Sequence, residues 1–164
     1  MTTSLVPMQT ATFDVYREES IRSYAEENIA AGRWPAEGAI ERSRLDYAEL
    51  LPQGLATPDN FLYEIHSDQD AGATMLSVRV GYLWLAIVEK NGVRGGYVYD
   101  LEVAPKHRRQ GHAEAVFSAM EVLAREMGLP SVGLHVFANN PGAQKLYLKL
   151  GYGVTGLNMI KHLT

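Results

Sequence analysis

The sequence predicts a mixed α/β protein, a sheet covered by helices, and three observations carry that reading. Apolar residues recur at helical spacing in separate stretches, other stretches are rich in β-branched and aromatic residues, and Gly, Pro or Asn-Gly punctuation falls between them. Taken in order, the elements run strand, two helices, three strands, helix, strand, helix, then strands. The chain has 164 residues, and no repeat, low-complexity tract or linker divides it, so one domain over residues 1–164 is expected.

A short apolar start around Leu5 to Met8 leads into "DVYREESIRSYAEENIAAG", where Ile21, Tyr24, Ala25 and Ile29 share a helical face and Gly32 marks the stop. A second helix is expected from about Pro35, with Ile40, Tyr47, Ala48 and Leu51 inward and Pro52 beyond it. "FLYEIHS", "ATMLSVRVGYLWLAIVE" and "GGYVYDLEV" read as strands, with a turn at Asn91-Gly92. From Ala113 the period becomes 3.6: Ala113, Val116, Phe117, Met120, Ala124 and Met127 form one stripe that ends at Gly128. "SVGLHVF" is a further strand. "NNPGAQKLYLKLG" is a helix with Asn140 as cap and Pro141 at its first position, and "YGVTGLNMIKHL" closes as one or two strands.

Composition removes several functions. Without cysteine there is no disulfide, no thiolate zinc site and no acyl-cysteine intermediate. The five histidines are scattered without ligand spacing, so no metal is expected. A net charge of −4 and a pI near 5.7 argue against a nucleic-acid partner. The first residues lack the basic start and apolar run of a signal peptide, and "VGYLWLAIV" is too short to span a bilayer. A cytoplasmic protein with no membrane partner is the expectation.

One stretch runs against the acidic balance. "EVAPKHRRQGHAEAVFSAM" places Lys106, His107, Arg108 and Arg109 just ahead of Gly111 and a helix start. The first amides of a helix have no intrahelical partner and carry the positive end of its dipole, which makes an anion site. Gly111 lets backbone approach a diphosphate, Ala113 keeps the next turn small, and Arg108 either fixes the loop or pairs with phosphate. GxxxxGK[ST] and GxGxxG are both absent. Taken alone, the run also fits a plain helix start with solvated arginines.

The same residues resemble the acetyl-CoA-binding motif [RQ]-x-x-G-x-[GA] of the GNAT (Gcn5-related N-acetyltransferase) superfamily, at Arg108, Gly111 and Ala113. "NNPGAQKLYLKLGY" resembles that family's N-x-x-A-x-x-L-Y-x-K-L-G-[FY] at Asn140, Ala143, Leu146, Tyr147, Lys149, Leu150, Gly151 and Tyr152. "LLPQGLAT", "YVYDLEV", "GLHVFANN" and "LNMIKHL" are similar to bacterial acetyltransferases of the YycN type. The resemblance implies the acyl-CoA N-acyltransferase fold, an α/β (α+β) architecture whose mixed, mostly antiparallel sheet is flanked by helices. It implies acetyl transfer from acetyl-CoA, as co-substrate, directly to a primary amine of a small molecule or peptide, by a monomer or homodimer. A non-catalytic acyl-CoA-binding or regulatory protein on the same fold is the alternative.

In that frame Arg108, Arg109, Gln110, Gly111, His112, Ala113 and Glu114 form the diphosphate cradle, and backbone groups of Leu101 and Val103 pair with the pantetheine arm. Arg109 stands where the family often has glycine; it stiffens the loop, and contact with the adenosine 3′-phosphate is an open role for it. Asn140 is either a helix cap or a pantetheine ligand, or both. Tyr147 matches the family's acid, which protonates the departing thiolate. A lysine-like amine is neutral only about once in 2,500 molecules at pH 7, a deficit of about 4–5 kcal/mol, so a base is needed. Glu102 is the first candidate; Asp100, on the same face by alternation, is the second, unless a bulge intervenes. Tyr24 reads as core and Trp34 as closing the turn between helices, the alternative being that both shape the acceptor pocket with Glu26.

Overall fold

The computed structural model describes residues 2–163. The elements are β1 (Thr3–Pro7), α1 (Thr10–Ala30), α2 (Ala39–Leu50), β2 (Asn60–Asp70), β3 (Met75–Lys90), β4 (Val93–Val103), α3 (His112–Glu126), β5 (Val132–Leu134) and α4 (Pro141–Lys149). The five strands lie in the order β1-β2-β3-β4-β5; the first three pairings are antiparallel and β4–β5 is parallel. Each face of the sheet carries its own core. Phe13, Tyr16 and Ile21 of α1 and Tyr47 of α2 bury Leu62, Tyr82 and Trp84. On the other face Val116, Phe117 and Met120 of α3 cover Ile65, Leu83, Leu85 and Val98, and Tyr147 and Leu150 of α4 pack against them.

Both first helices differ from the sequence expectation. α1 starts at Thr10, four residues ahead of the expected Asp14, and that added turn buries Phe13, one turn before the buried Tyr16. α2 starts only at Ala39, after Gly38 at φ 71°, and buries Ala39, Ser43 and Tyr47. Ile40 is exposed, and so is Ala48. The stripe is rotated because Ser43, a polar residue, sits in the seam and donates to the Ile21 carbonyl at 2.6 Å, which satisfies its hydroxyl without water.

The strand expected over residues 131–137 is paired only at Val132–Leu134, and residues 152–163 carry no strand. Both differences come from partners rather than propensity. An extended segment becomes a strand only where a neighbour takes its backbone groups, and β4 leaves β5 after Val98.

That departure begins at a bulge. Trp84 of β3 lies opposite Asp100 while Leu85 lies opposite Val98, so Tyr99 is an extra residue. Alternation alone puts Tyr97 and Tyr99 on the face of Leu101. The bulge instead puts Tyr97, Asp100 and Glu102 on one face, opposite Ala86, Trp84 and Tyr82, the face covered by α1 and α2. A second irregularity in β3 makes Val80 its extra residue, and Gly81 then meets Glu102 closely.

Candidate active site

Past the bulge, Tyr99 to Val103 have no β5 partner, so the two strands open like a V. β4 ends in the short 3-10 turn Pro105–His107, and the loop enters α3 through Gly111 at φ 84°. No side chain caps that helix, and the first intrahelical bond belongs to Ala115, which donates to Gly111. The amides of His112, Ala113 and Glu114 are therefore left to an outside acceptor. Val103, Arg108, Arg109, Gly111, His112, Ala113 and Glu114, with Leu146 of α4, line a cavity of about 210 Å³.

The basic residues do not act alike. Arg108 Nε donates to the Val103 carbonyl at 2.8 Å, so this arginine ties the loop to the end of β4. Arg109 holds φ 60°, a left-handed conformation that suits glycine. The Gln110 amide turns back to the Lys106 carbonyl and does not line the cavity. The His112 ring faces inward, with Nδ1 2.9 Å from Thr3 Oγ1, and its buried Nε2 has no partner. Burial, then the neighbouring His107, lowers the affinity of His112 for a proton. Glu114 pairs with Lys149, which fastens α3 to α4 beside the cavity. Uncapped amides and a left-handed glycine together fit a diphosphate.

Asn140 Oδ1 accepts from the Ala143 amide at 3.2 Å; it caps α4 and keeps its NH2 group free of that bond. Tyr147 is half-buried, edge-on to Phe117 and Tyr152 at 5.5 and 5.9 Å. It also lines a larger cleft of about 1350 Å³ bounded by β5, α4 and residues 152–160. Burial is the main cause that keeps its phenol protonated, and the charges of Asp100 and Glu27 add to it. His135 lies on the wall of that cleft against Phe137, 4.9 Å away.

The carboxylates sit on the α1/α2 face. Tyr16, buried in α1, donates to Asp100 Oδ2 at 2.8 Å. Burial raises Asp100 to about 7; the Tyr16 bond opposes this, and the charges of Glu102 and Glu27 reinforce it. Glu27 is itself raised, first by burial and then by Glu102. Around them runs a chain of rings, Trp34 to Tyr24 at 5.4 Å, Tyr24 to Tyr47 at 6.2 Å, Tyr47 to Trp84 at 5.7 Å and Trp84 to Tyr99 at 4.6 Å. Tyr24 and Trp34 thus belong at once to the core edge and to this wall. Glu27 is the α1 carboxylate whose charge is felt at Asp100. Sequence reading missed Tyr16 and Glu27 and gave Tyr47 only as core; Glu27 lies at i+3 from Tyr24, whereas Tyr16 lies at i+3 from Phe13, outside the expected helix.

Comparison with known proteins places this geometry. The model of the acetyltransferase (GNAT) family matches residues 22–152. The N-acetyltransferase YycN of Bacillus subtilis (strain 168) is 35% identical over 164 residues, 99% of this chain and 100% of that protein. Its crystal structure superposes with a TM-score of 0.87 at 34% identity, covering 99% of each chain. The N-acetyltransferase YdgE of the same organism is 30% identical over 163 residues, 99% of each. AAC(6')-Iy, solved with the bisubstrate analogue CoA-S-monomethyl-acetylneamine, shares the fold at a TM-score of 0.62 and 16% identity, over 100% of this chain and 99% of that one.

The chain belongs to the acetyltransferase (GNAT) family and is an acetyltransferase. Acetyl-CoA is the acetyl donor used by this fold.

Proposed function

We propose that this protein moves acetyl from acetyl-CoA directly to a primary amine, with the coenzyme along β4 and the acceptor entering from the α1/α2 side. The observation that carries the proposal is the free edge of β4 from Tyr99 to Val103, which leads straight into uncapped helix amides. A pantetheine arm has amides that match an unpaired strand edge, and its diphosphate matches the helix start. Leu101 and Val103 supply the edge, although the Val103 carbonyl already accepts from Arg108. The Asn140 NH2 group is left to meet the arm while its oxygen caps α4.

Glu102 takes the proton of the incoming amine, with Asp100 as the second carboxylate of a coupled pair. A base works best with its pKa near the working pH, and Asp100 is poised there. Tyr147 holds its proton at neutral pH and gives it to the sulfur as the thiolate leaves, so the amine becomes an amide and the coenzyme leaves as a thiol. Glu27, Asp100 and Glu102 make no ion pair among the described residues, and the wall beside them is aromatic. Such a surface favours a positively charged amine.

The test is release of coenzyme thiol across a panel of amines. The chain has no cysteine, so a thiol reagent reads the product without background from the protein. Cationic diamines and amine-bearing small molecules should give turnover. Tyr147→Phe should lower turnover at least about tenfold, the ordinary worth of a positioned acid, and leave acetyl-CoA affinity unchanged. Equal turnover in both proteins removes Tyr147 from the mechanism. Coenzyme binding with no thiol release from any amine would favour the non-catalytic reading.

The pH profile separates the two carboxylates. In the wild type kcat/KM should rise with pH through about 7 as the pair loses its proton. Glu102→Gln removes a negative charge that raises Asp100, so the remaining limb should move to lower pH. Asp100→Asn should abolish the limb near neutrality. A wild-type profile flat from pH 5 to 8 would contradict a carboxylate base.

A further inference from the structure

We infer that Arg109 reads the 3′-phosphate at the adenosine end of the coenzyme, and so makes the protein distinguish coenzyme A from 3′-dephospho-coenzyme A. This rests on the acetyl-CoA reading above and goes beyond it, because the fold's acetyl transfer requires no such contact.

The two adjacent arginines are differently committed. Arg108 has extended backbone, with φ −70° and ψ 160°, and spends its Nε on the Val103 carbonyl. Arg109 is exposed and makes no hydrogen bond or ion pair among the described residues. Yet it holds φ 60°, where glycine is at ease and a long L side chain is not. The conformational cost is retained at a loop that faces a ligand cavity, the setting in which backbone strain accompanies function.

On the acetyl-CoA reading, the cavity takes the diphosphate. It offers three uncapped amides at the start of α3. Those groups satisfy one pair of phosphates. A coenzyme bound there carries one further anion, on its ribose, and a second cation at the cavity rim is what would hold it. Guanidinium is suited to that task because its planar fork meets two phosphate oxygens at once. Lys106 is the competing cation on the same loop; it is also exposed, and its ammonium presents a single point charge.

Calorimetric titration of coenzyme A and of 3′-dephospho-coenzyme A into wild type, Arg109→Gly and Arg109→Lys tests this. Wild type should bind coenzyme A at least about tenfold more tightly, as expected for one charge-assisted bidentate contact. In Arg109→Gly the two ligands should agree within about twofold. The thermal midpoint of that variant without ligand should equal or exceed the wild-type value, since glycine relieves the backbone. Arg109→Lys should fall between. Full preference for coenzyme A in Arg109→Gly would overturn the inference and point to Lys106. Equal affinity of wild type for both ligands would also overturn it. Wild type that binds neither ligand would instead refute the coenzyme site as a whole.

Discussion

Asp100→Asn should make the protein more stable at pH 8 while lowering its turnover. Asp100 is held near pKa 7 against an ordinary value of 3.8, chiefly because it is buried. In the unfolded chain the group ionises at about its ordinary value, so between those two pH values the folded state binds the extra proton. Stability from this residue is therefore unaffected below about pH 4, falls as pH rises, and reaches its full penalty above about pH 7, with an upper limit of about 4 kcal/mol. Asparagine accepts the Tyr16 hydroxyl as the carboxylate does but never ionises. Chemical denaturation at pH 8 should show a gain of about 2–4 kcal/mol, at least about 5 °C in Tm for a chain of this length, and the gain should vanish at pH 4. Turnover should fall at least about tenfold at pH 7, because the pair loses its carboxylate nearest neutrality. A gain equal at both pH values, or a loss at pH 8, would contradict the assigned environment of Asp100. The expected pattern is the exchange of stability for activity that active sites commonly show.

Gly81→Ala should be the most damaging single methyl group in the sheet. A Cβ at Gly81 falls 1.9 Å from the Glu102 carbonyl oxygen and 2.9 Å from its carbon. Both are backbone atoms held in a paired strand, so β4 has to move where it carries the candidate base. Overpacking of a well-packed interior costs about 1–3 kcal/mol, and a backbone clash lies at or above the top of that range. Gly133→Ala, in β5, is the control: its added Cβ meets only the Tyr97 ring, at 3.7 Å, an ordinary contact. The Gly81 variant should lose Tm and turnover together while the Gly133 variant keeps both. Equal stability of the two would mean that β3 and β4 do not approach as closely at Glu102 as described.

These two positions also show what the sequence could and could not disclose. α3 and its glycine were legible because a single apolar stripe, Val116, Phe117, Met120 and Ala124, repeats without polar interruption. The free amides followed from it, since the position of a helix start locates them. α2 was misjudged by a fraction of a turn because Ser43 occupies the seam and its hydroxyl is satisfied by Ile21 of another helix. The bulge at Tyr99 has no local signature; it exists in the register between β3 and β4, and with it go the placement of Tyr97 and the opening toward β5. Asp100 was placed with Glu102 because the bulge lies just before both. Glu26 and Glu27 are indistinguishable by type, and only the seating of α1 against β4 turns Glu27 toward Glu102. The closing segment alternates in sequence but finds no strand partner, a fact about its neighbours that no window of its own residues contains.

The central claim, that the free edge of β4 and the start of α3 hold acetyl-CoA, is tested most directly by thermal unfolding with acetyl-CoA, coenzyme A, ATP or no ligand. A ligand at 100 times its dissociation constant adds about 2.7 kcal/mol to the folded state, which for a chain of this size raises the midpoint by about 5–10 °C. Acetyl-CoA and coenzyme A should both produce that shift, and ATP, which lacks the pantetheine arm, should not. No shift with either coenzyme would reduce the arginine-rich loop to an ordinary helix start and contradict the account.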